Sequence, residues 1–147
     1  MVSKQETARK AASILCKKNI GFREVNNEER RILAKAFAGK NKVLYGKAYD
    51  IIKCSQKIDL ANEKEVEANL DKILIYEIKS TSRKNIPKDF SGYFFDLTTA
   101  ELLVAQSLGD QFKFAFVNIV TKHMLELSIN DVYAKAQRVY PKWAIRF

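Results

Sequence analysis

Three features of the sequence predict an α/β domain, with a mixed central sheet flanked by helices on both faces. Segments with apolar residues at helical spacing stand before, between and after short runs rich in β-branched and aromatic residues. One such run, residues 73–79, is apolar on both alternating faces, as expected of a central strand covered by helices on each side. The pairs Ser3/Glu6 and Thr98/Glu101 have the spacing of capping boxes, and each precedes a helical pattern.

Taken in order, Ala8, Ala11, Ala12 and Leu15 follow Ser3 at helical spacing until Gly21, which predicts a first helix over 4–18. Asn26 and Glu29 offer a similar start, and Ile32, Leu33, Ala36 and Phe37 give a stripe ending at Gly39, so a second helix is expected over 27–38. From Lys42 the period shortens. Residues 43–45, 49–52 and 73–79 read as strands, with a polar stretch over 56–71 that is either a short helix or an acidic loop. Thr98 opens a third helix over 99–108, stopped by Gly109. Residues 112–120 and 124–129 read as strands. Asn130 is expected to cap a last helix that Pro141 ends, and a short strand over 143–147 follows.

The 147 residues, 47% hydrophobic, suit one domain with its own core: a basic helical part over 1–40 and a sheet with helices over 41–147. Five Gly and two Pro leave no flexible linker. No apolar run approaches the roughly 20 residues of a membrane helix, and the amino terminus is too charged for a secretory signal, so a soluble, cytoplasmic protein is expected with no membrane partner. Cys16 and Cys54 have no metal-ligand spacing and are expected to be reduced.

The net charge of +9 is unevenly placed. Residues 1–60 hold 14 Lys and Arg against six Asp and Glu, or +8, whereas residues 61–147 hold 12 against 11, or +1. Such a field attracts polyanions, of which nucleic acid is the commonest inside cells; a general solubility surface is the plain alternative.

Glu77 and Lys79 stand at the end of the most apolar strand and, being two apart, project from one face. Placing a carboxylate and an ammonium among apolar neighbours is costly unless each is paired or bound to a metal. Phosphodiester hydrolysis supplies a reason: carboxylates hold magnesium, and a nearby Lys orients or deprotonates the attacking water. A second carboxylate is then required, and Asp50, at the start of a neighbouring strand, is favoured over Asp59 and Asp71 in the polar stretch. The carbonyl of Ile78 could add a further oxygen. A salt pair within the sheet is the plain alternative.

The residues Tyr49-Asp50-Ile51 followed by Ile75-Tyr76-Glu77-Ile78-Lys79-Ser80-Thr81 resemble the PD-(D/E)XK phosphodiesterase superfamily of restriction endonucleases and junction resolvases. Phe95-Asp96-Leu97-Thr98-Thr99-Ala100-Glu101-Leu102, then Gly109-Asp110-Gln111-Phe112, resemble a branch of predicted nuclease domains in which a strand ending in Leu-Thr leads to a helix and a Gly-Asp turn. The similarity covers about residues 27–120; Ala48-Tyr49 stands where Pro is nominal before the aspartate. The resemblance implies a restriction-endonuclease-like sheet, Asp50 and Glu77 as ligands of Mg2+ (or Mn2+), and Lys79 as the water-activating cation. It also implies an accessory acid on the preceding helix, Glu28 or Glu29. The expected activity is a DNA endonuclease of restriction, defence or repair, with RNA also open as substrate and a homodimer if both strands are cut. A non-catalytic nucleic-acid-binding module or a structural subunit of the same fold is the alternative.

Arg30, Arg31 and Lys35 on the second helix, and Arg83, Lys84 and Lys88 after the motif strand, are candidate phosphate contacts, with solvated surfaces as the alternative. Gln106 is a candidate cleft residue. The capping box accounts for Glu101 without catalysis. His123 is the only histidine and has no partners at ligand spacing. Tyr93, Phe94 and Phe95 are expected in the core rather than as stacking platforms. Phosphate-loop, dinucleotide and serine-hydrolase motifs are absent.

Overall fold

The computed structural model describes residues 3–18 and 21–147. Helix α1 (Lys4–Lys18) opens with the Glu6 N–H donating to Ser3 Oγ at 3.1 Å. A two-residue strand β1 (Phe22–Arg23) follows, then α2 (Asn27–Ala38), which starts with a reciprocal capping box between Asn26 and Glu29. After an irregular stretch come β2 (Ile51–Cys54), α3 (Glu63–Ala68) and a 3-10 turn at Leu70–Lys72. Strand β3 (Ile73–Thr81) leads through a long loop to α4 (Thr99–Leu108), β4 (Phe112–Asn118), β5 (Met124–Leu127) and α5 (Ile129–Lys135).

The five strands form one open mixed sheet in the order β1-β2-β3-β4-β5. Every neighbour pair is antiparallel except β3 with β4, which run parallel. The alternation of strand side chains sorts the core into two layers. Ile52, Ile73, Ile75, Phe112, Phe114 and Phe116 face α2, α4 and α5 on one side. Ile51, Tyr76, Ile78, Ala115 and Val117 face α1 on the other. At about 25 cal/mol per Å2, burial of these Ile and Phe side chains on both faces is the main force holding β3 and β4 at the centre.

Several boundaries differ from expectation. Residues 43–45 form no strand: Leu44 is buried, but Val43 is exposed and its N–H is taken by Ser107 Oγ at 2.7 Å, so no neighbouring strand is left to pair. The strand expected over 49–52 begins at Ile51, leaving Asp50 just outside it. The strands expected over 112–120 and 124–129 stop at Asn118 and Leu127, because the Asn118 side chain accepts from the Val120 and Thr121 N–H groups and turns the chain. The last helix is capped by Ser128, reciprocally with Asp131, rather than by Asn130, and it ends at Lys135, before Pro141. Residues 143–147 are apolar in alternation yet belong to no strand among the described residues. Strand β1, placed in the basic amino-terminal part, joins the same sheet as the rest.

Candidate active site

The candidate cluster lies where β2 begins and β3 runs past it. The Asp50 N–H donates to the Tyr76 carbonyl at 2.9 Å, and the Ile78 N–H donates to Asp50 Oδ2 at 2.8 Å. The Asp50 carboxylate thus takes the place of a ladder carbonyl, which fixes it beside Glu77. A strand residue turns its N–H and C=O toward the same neighbour, so the Ile78 carbonyl also faces the Asp50 side. Glu77 and Lys79 share the parity of Ile73 and Ile75 and therefore face α4.

Lys79 Nζ lies 3.5 Å from Glu77 and donates to both Glu101 oxygens, at 2.6 and 3.1 Å. Glu101 is 4% exposed and at the same time closes the capping box of α4 with Thr98. Its placement on the first turn of α4 is what aims it at β3. The Glu77 carboxyl is pushed up to about 9, first by burial, then by the charges of Asp50 and Glu101, with Lys79 only partly offsetting them. Three acids and one amine therefore converge, and the central acid holds its proton near neutral pH.

Among the described residues no group of three or more His, Cys, Asp or Glu side chains is placed to hold a metal ion. Magnesium does not require one, since it is held through one or two carboxylates with water and phosphate oxygens completing its shell. The repulsion among Asp50, Glu77 and Glu101 fits such a cation. Asp50 and Glu77 would hold it, with the Ile78 carbonyl as a further oxygen.

The other candidate residues take different places. Glu28 is exposed and paired with Arg31 at 2.6 Å, while Glu29 is buried in its capping box and pairs with Arg23. Neither is among the charges acting on Glu77. Arg30 is turned inward: its guanidinium donates to the carbonyls of Gly46, Tyr49 and Asp50 at 2.7, 3.1 and 3.2 Å, and stacks 4.4 Å from the Tyr49 ring centroid. Arg30 is a support for the Asp50 backbone. Arg31 and Lys35 lie on the exposed face of α2, where Glu63 at the start of α3 approaches them at 3.8 and 3.2 Å. Arg83, Lys84 and Lys88 are exposed in the loop after β3. Gln106 is exposed, about 140° around α4 from Glu101, and does not line the cluster.

Glu101 is the cluster member that the sequence reading set aside; its cap role and its ion pair coexist because Oε1 accepts from both the Thr98 N–H and Lys79 Nζ, while Oε2 accepts from Lys79 as well. Tyr93 and Phe95 stack 5.6 Å apart beside Phe116, as core residues do, whereas Phe94 is exposed and meets Tyr140. Cys16 and Cys54 are free thiols whose ionisation is pushed up by burial. No helix among the described residues is long and apolar enough to cross a membrane. Comparison with known protein families, with curated proteins and with solved structures gives no match.

Proposed function

We propose that this chain is a magnesium-dependent nuclease, with manganese as a substitute, that hydrolyses phosphodiester bonds in DNA. The observation that carries the reading is the convergence of Asp50, Glu77 and Lys79 in one half-buried cluster, where burial first and the acidic neighbours second push the Glu77 carboxyl up. Three acids set this close, Asp50, Glu77 and Glu101, with one ammonium among them, are unfavourable in a scaffold and useful around a cation and a phosphate. When bound, magnesium would neutralise charge on the phosphate and acidify a water.

The chain's own residues divide the remaining work. Asp50 is held in place by the Ile78 N–H, and Arg30 secures its backbone. Glu101 fixes the direction of the Lys79 ammonium, which can then orient the water or meet the phosphate. The water oxygen bonds to phosphorus and gives up one proton to solvent, while the bridging oxygen leaves with the electron pair of the broken P–O bond and takes up one proton from solvent.

The rival reading, a non-catalytic nucleic-acid-binding module or a structural subunit, draws on the Lys79–Glu101 pair, which satisfies both groups without substrate. Supercoiled plasmid incubated with magnesium or manganese separates the two. Wild type is expected to nick it, and Lys79→Ala and Glu77→Gln are each expected to lose at least about 100-fold in rate, the scale of a lost acid-base or charge-stabilising group. A wild-type protein that retards DNA in a gel and cuts none of it overturns the nuclease and leaves the binding module.

A further inference from the structure

The candidate phosphate contacts on α2 are largely neutralised by Glu28 and Glu63, so the chain's positive excess must act elsewhere. Two concavities mark the place. One, of about 360 Å3, lies between α1 and the turn after β4 and is lined by Lys10, Lys17, Lys18 and Lys122. The second, of about 270 Å3, shares Lys18 and Lys122 with the first and continues to Lys88 in the loop after β3. Neither is lined by an Asp or Glu.

Two of the lysines, Lys18 and Lys122, are held together. Lys18 Nζ donates to the Lys122 carbonyl at 2.7 Å, bridging 104 residues of sequence, and Lys122 itself sits at φ 63° in the turn. This bond sets two cationic residues side by side across one groove. Lys10 has Glu6 at 3.2 Å, but among the described residues no acid pairs with Lys17, Lys18, Lys88 or Lys122. Lys17 and Lys18 in the last turn of α1 also suit the helix dipole, but that does not account for Lys88 or Lys122.

The groove begins close to the candidate cluster. Asn118, in its lining, pairs with Thr81 in the β3–β4 register, two residues or about 7 Å beyond Lys79. Phe90, also in the lining, packs on Phe116, the register partner of Lys79, with 5.8 Å between ring centroids. From there the cationic track leads around the carboxyl ends of β3 and β4 to the α1 face of the sheet. None of the large exposed hydrophobic side chains among the described residues lines it, so a bilayer would find no anchor.

We infer that the joined groove of Lys17, Lys18, Lys122 and Lys88 is the docking surface for the phosphate backbone of duplex DNA, carrying the strand past the candidate cluster. It deepens the nuclease reading by naming where the substrate is gripped, and only the choice of DNA rests on that reading. The evidence is charge complementarity: a concave, acid-free line of cations suits a polymer with one charge per about 1.7 Å of axis.

The test is fluorescence anisotropy of a labelled duplex of about 20 base pairs across a salt series, without divalent metal so that no cutting intervenes. Each lost phosphate contact should lower the slope of log affinity against log salt by about 0.9. Lys17→Gln with Lys122→Gln is expected to lower it by about 1.8, so that between about 50 and 200 mM salt affinity falls about tenfold less than for wild type. The charge-matched pair Arg31→Gln with Lys35→Gln should leave the slope in place. Equal losses from both pairs, no binding by wild type, or tighter binding to anionic vesicles or single-stranded RNA than to the duplex would overturn the proposal. Lys88→Gln alone, in an exposed loop, should lose about one contact, and keeps the test sound if the double variant unfolds. Loss of slope in a protein that cuts no plasmid sinks the nuclease and keeps the groove; cutting with an unchanged slope does the reverse.

Discussion

The carboxyl group of Glu77 should make the stability of the metal-free protein depend on pH in an unusual sense. Its pKa rises from 4.5 to about 9 on folding, so the folded state binds the extra proton and the contribution of this group to stability is fully present below 4.5. That contribution is lost as pH climbs from 4.5 through about 9. Thermal melts without divalent cation should show a midpoint falling over this window, and Glu77→Gln should flatten the fall. Excess magnesium should raise the midpoint most at the alkaline end, because the cation binds the ionised form. Asp50 separates charge from hydrogen bonding: Asp50→Asn keeps an acceptor for the Ile78 N–H and should fold normally while losing the magnesium effect. Asp50→Ala should also cost about 1–3 kcal/mol in denaturant unfolding, since that N–H loses its acceptor. The motif triplet and its partner aspartate were legible because strand parity and apolar surroundings are local properties. Glu101 and the inward turn of Arg30 were not, because each depends on which carbonyls or amines tertiary packing brings within reach.

At the scale of elements, the three longest helices begin and end where their caps and stripes predict. Asn26 with Glu29 and Thr98 with Glu101 cap reciprocally, and Ser3 accepts from the Glu6 N–H. Asn26→Ala should cost about 1 kcal/mol, and more if freeing Glu29 also loosens its pair with Arg23. Strands were harder to read because pairing, not composition, decides them. Residues 43–45 have the β-rich composition yet no free neighbour, and the two-residue β1 has almost no periodic signal but finds the edge of β2. Gly21 explains that junction: it sits at φ 101°, and a Cβ there would lie 2.5 Å from the Cys54 carbonyl oxygen. Its own carbonyl accepts from the Cys54 N–H at 3.0 Å. Gly21→Ala should therefore lower stability by about 1–3 kcal/mol from backbone strain alone, read as a melting midpoint lower by several degrees.

Across the whole molecule, the mixed sheet and its helical cover follow from apolar runs that repeat at two different periods, a property visible in the amino-acid order. The carboxyl-terminal stretch beyond α5 does not follow from it. Trp143, the one tryptophan in the chain, is 89% exposed, with Ile145 and Phe147 beside it in sequence. Its fluorescence should resemble that of free indole in water and change little on unfolding in denaturant; a large blue shift in the folded protein would contradict this placement. The parallel pairing of β3 with β4 has a different reach. Antiparallel β2 and β3 can zip as soon as both have been synthesised, whereas β4 must wait for residues 82–111 to be made and to cross back. Until α4 lands, a nascent chain carries Asp50 opposite Glu77 while Lys79 still lacks Glu101. The acidic half of the cluster can thus assemble before the ammonium is clamped, which makes the completed site a late product of folding.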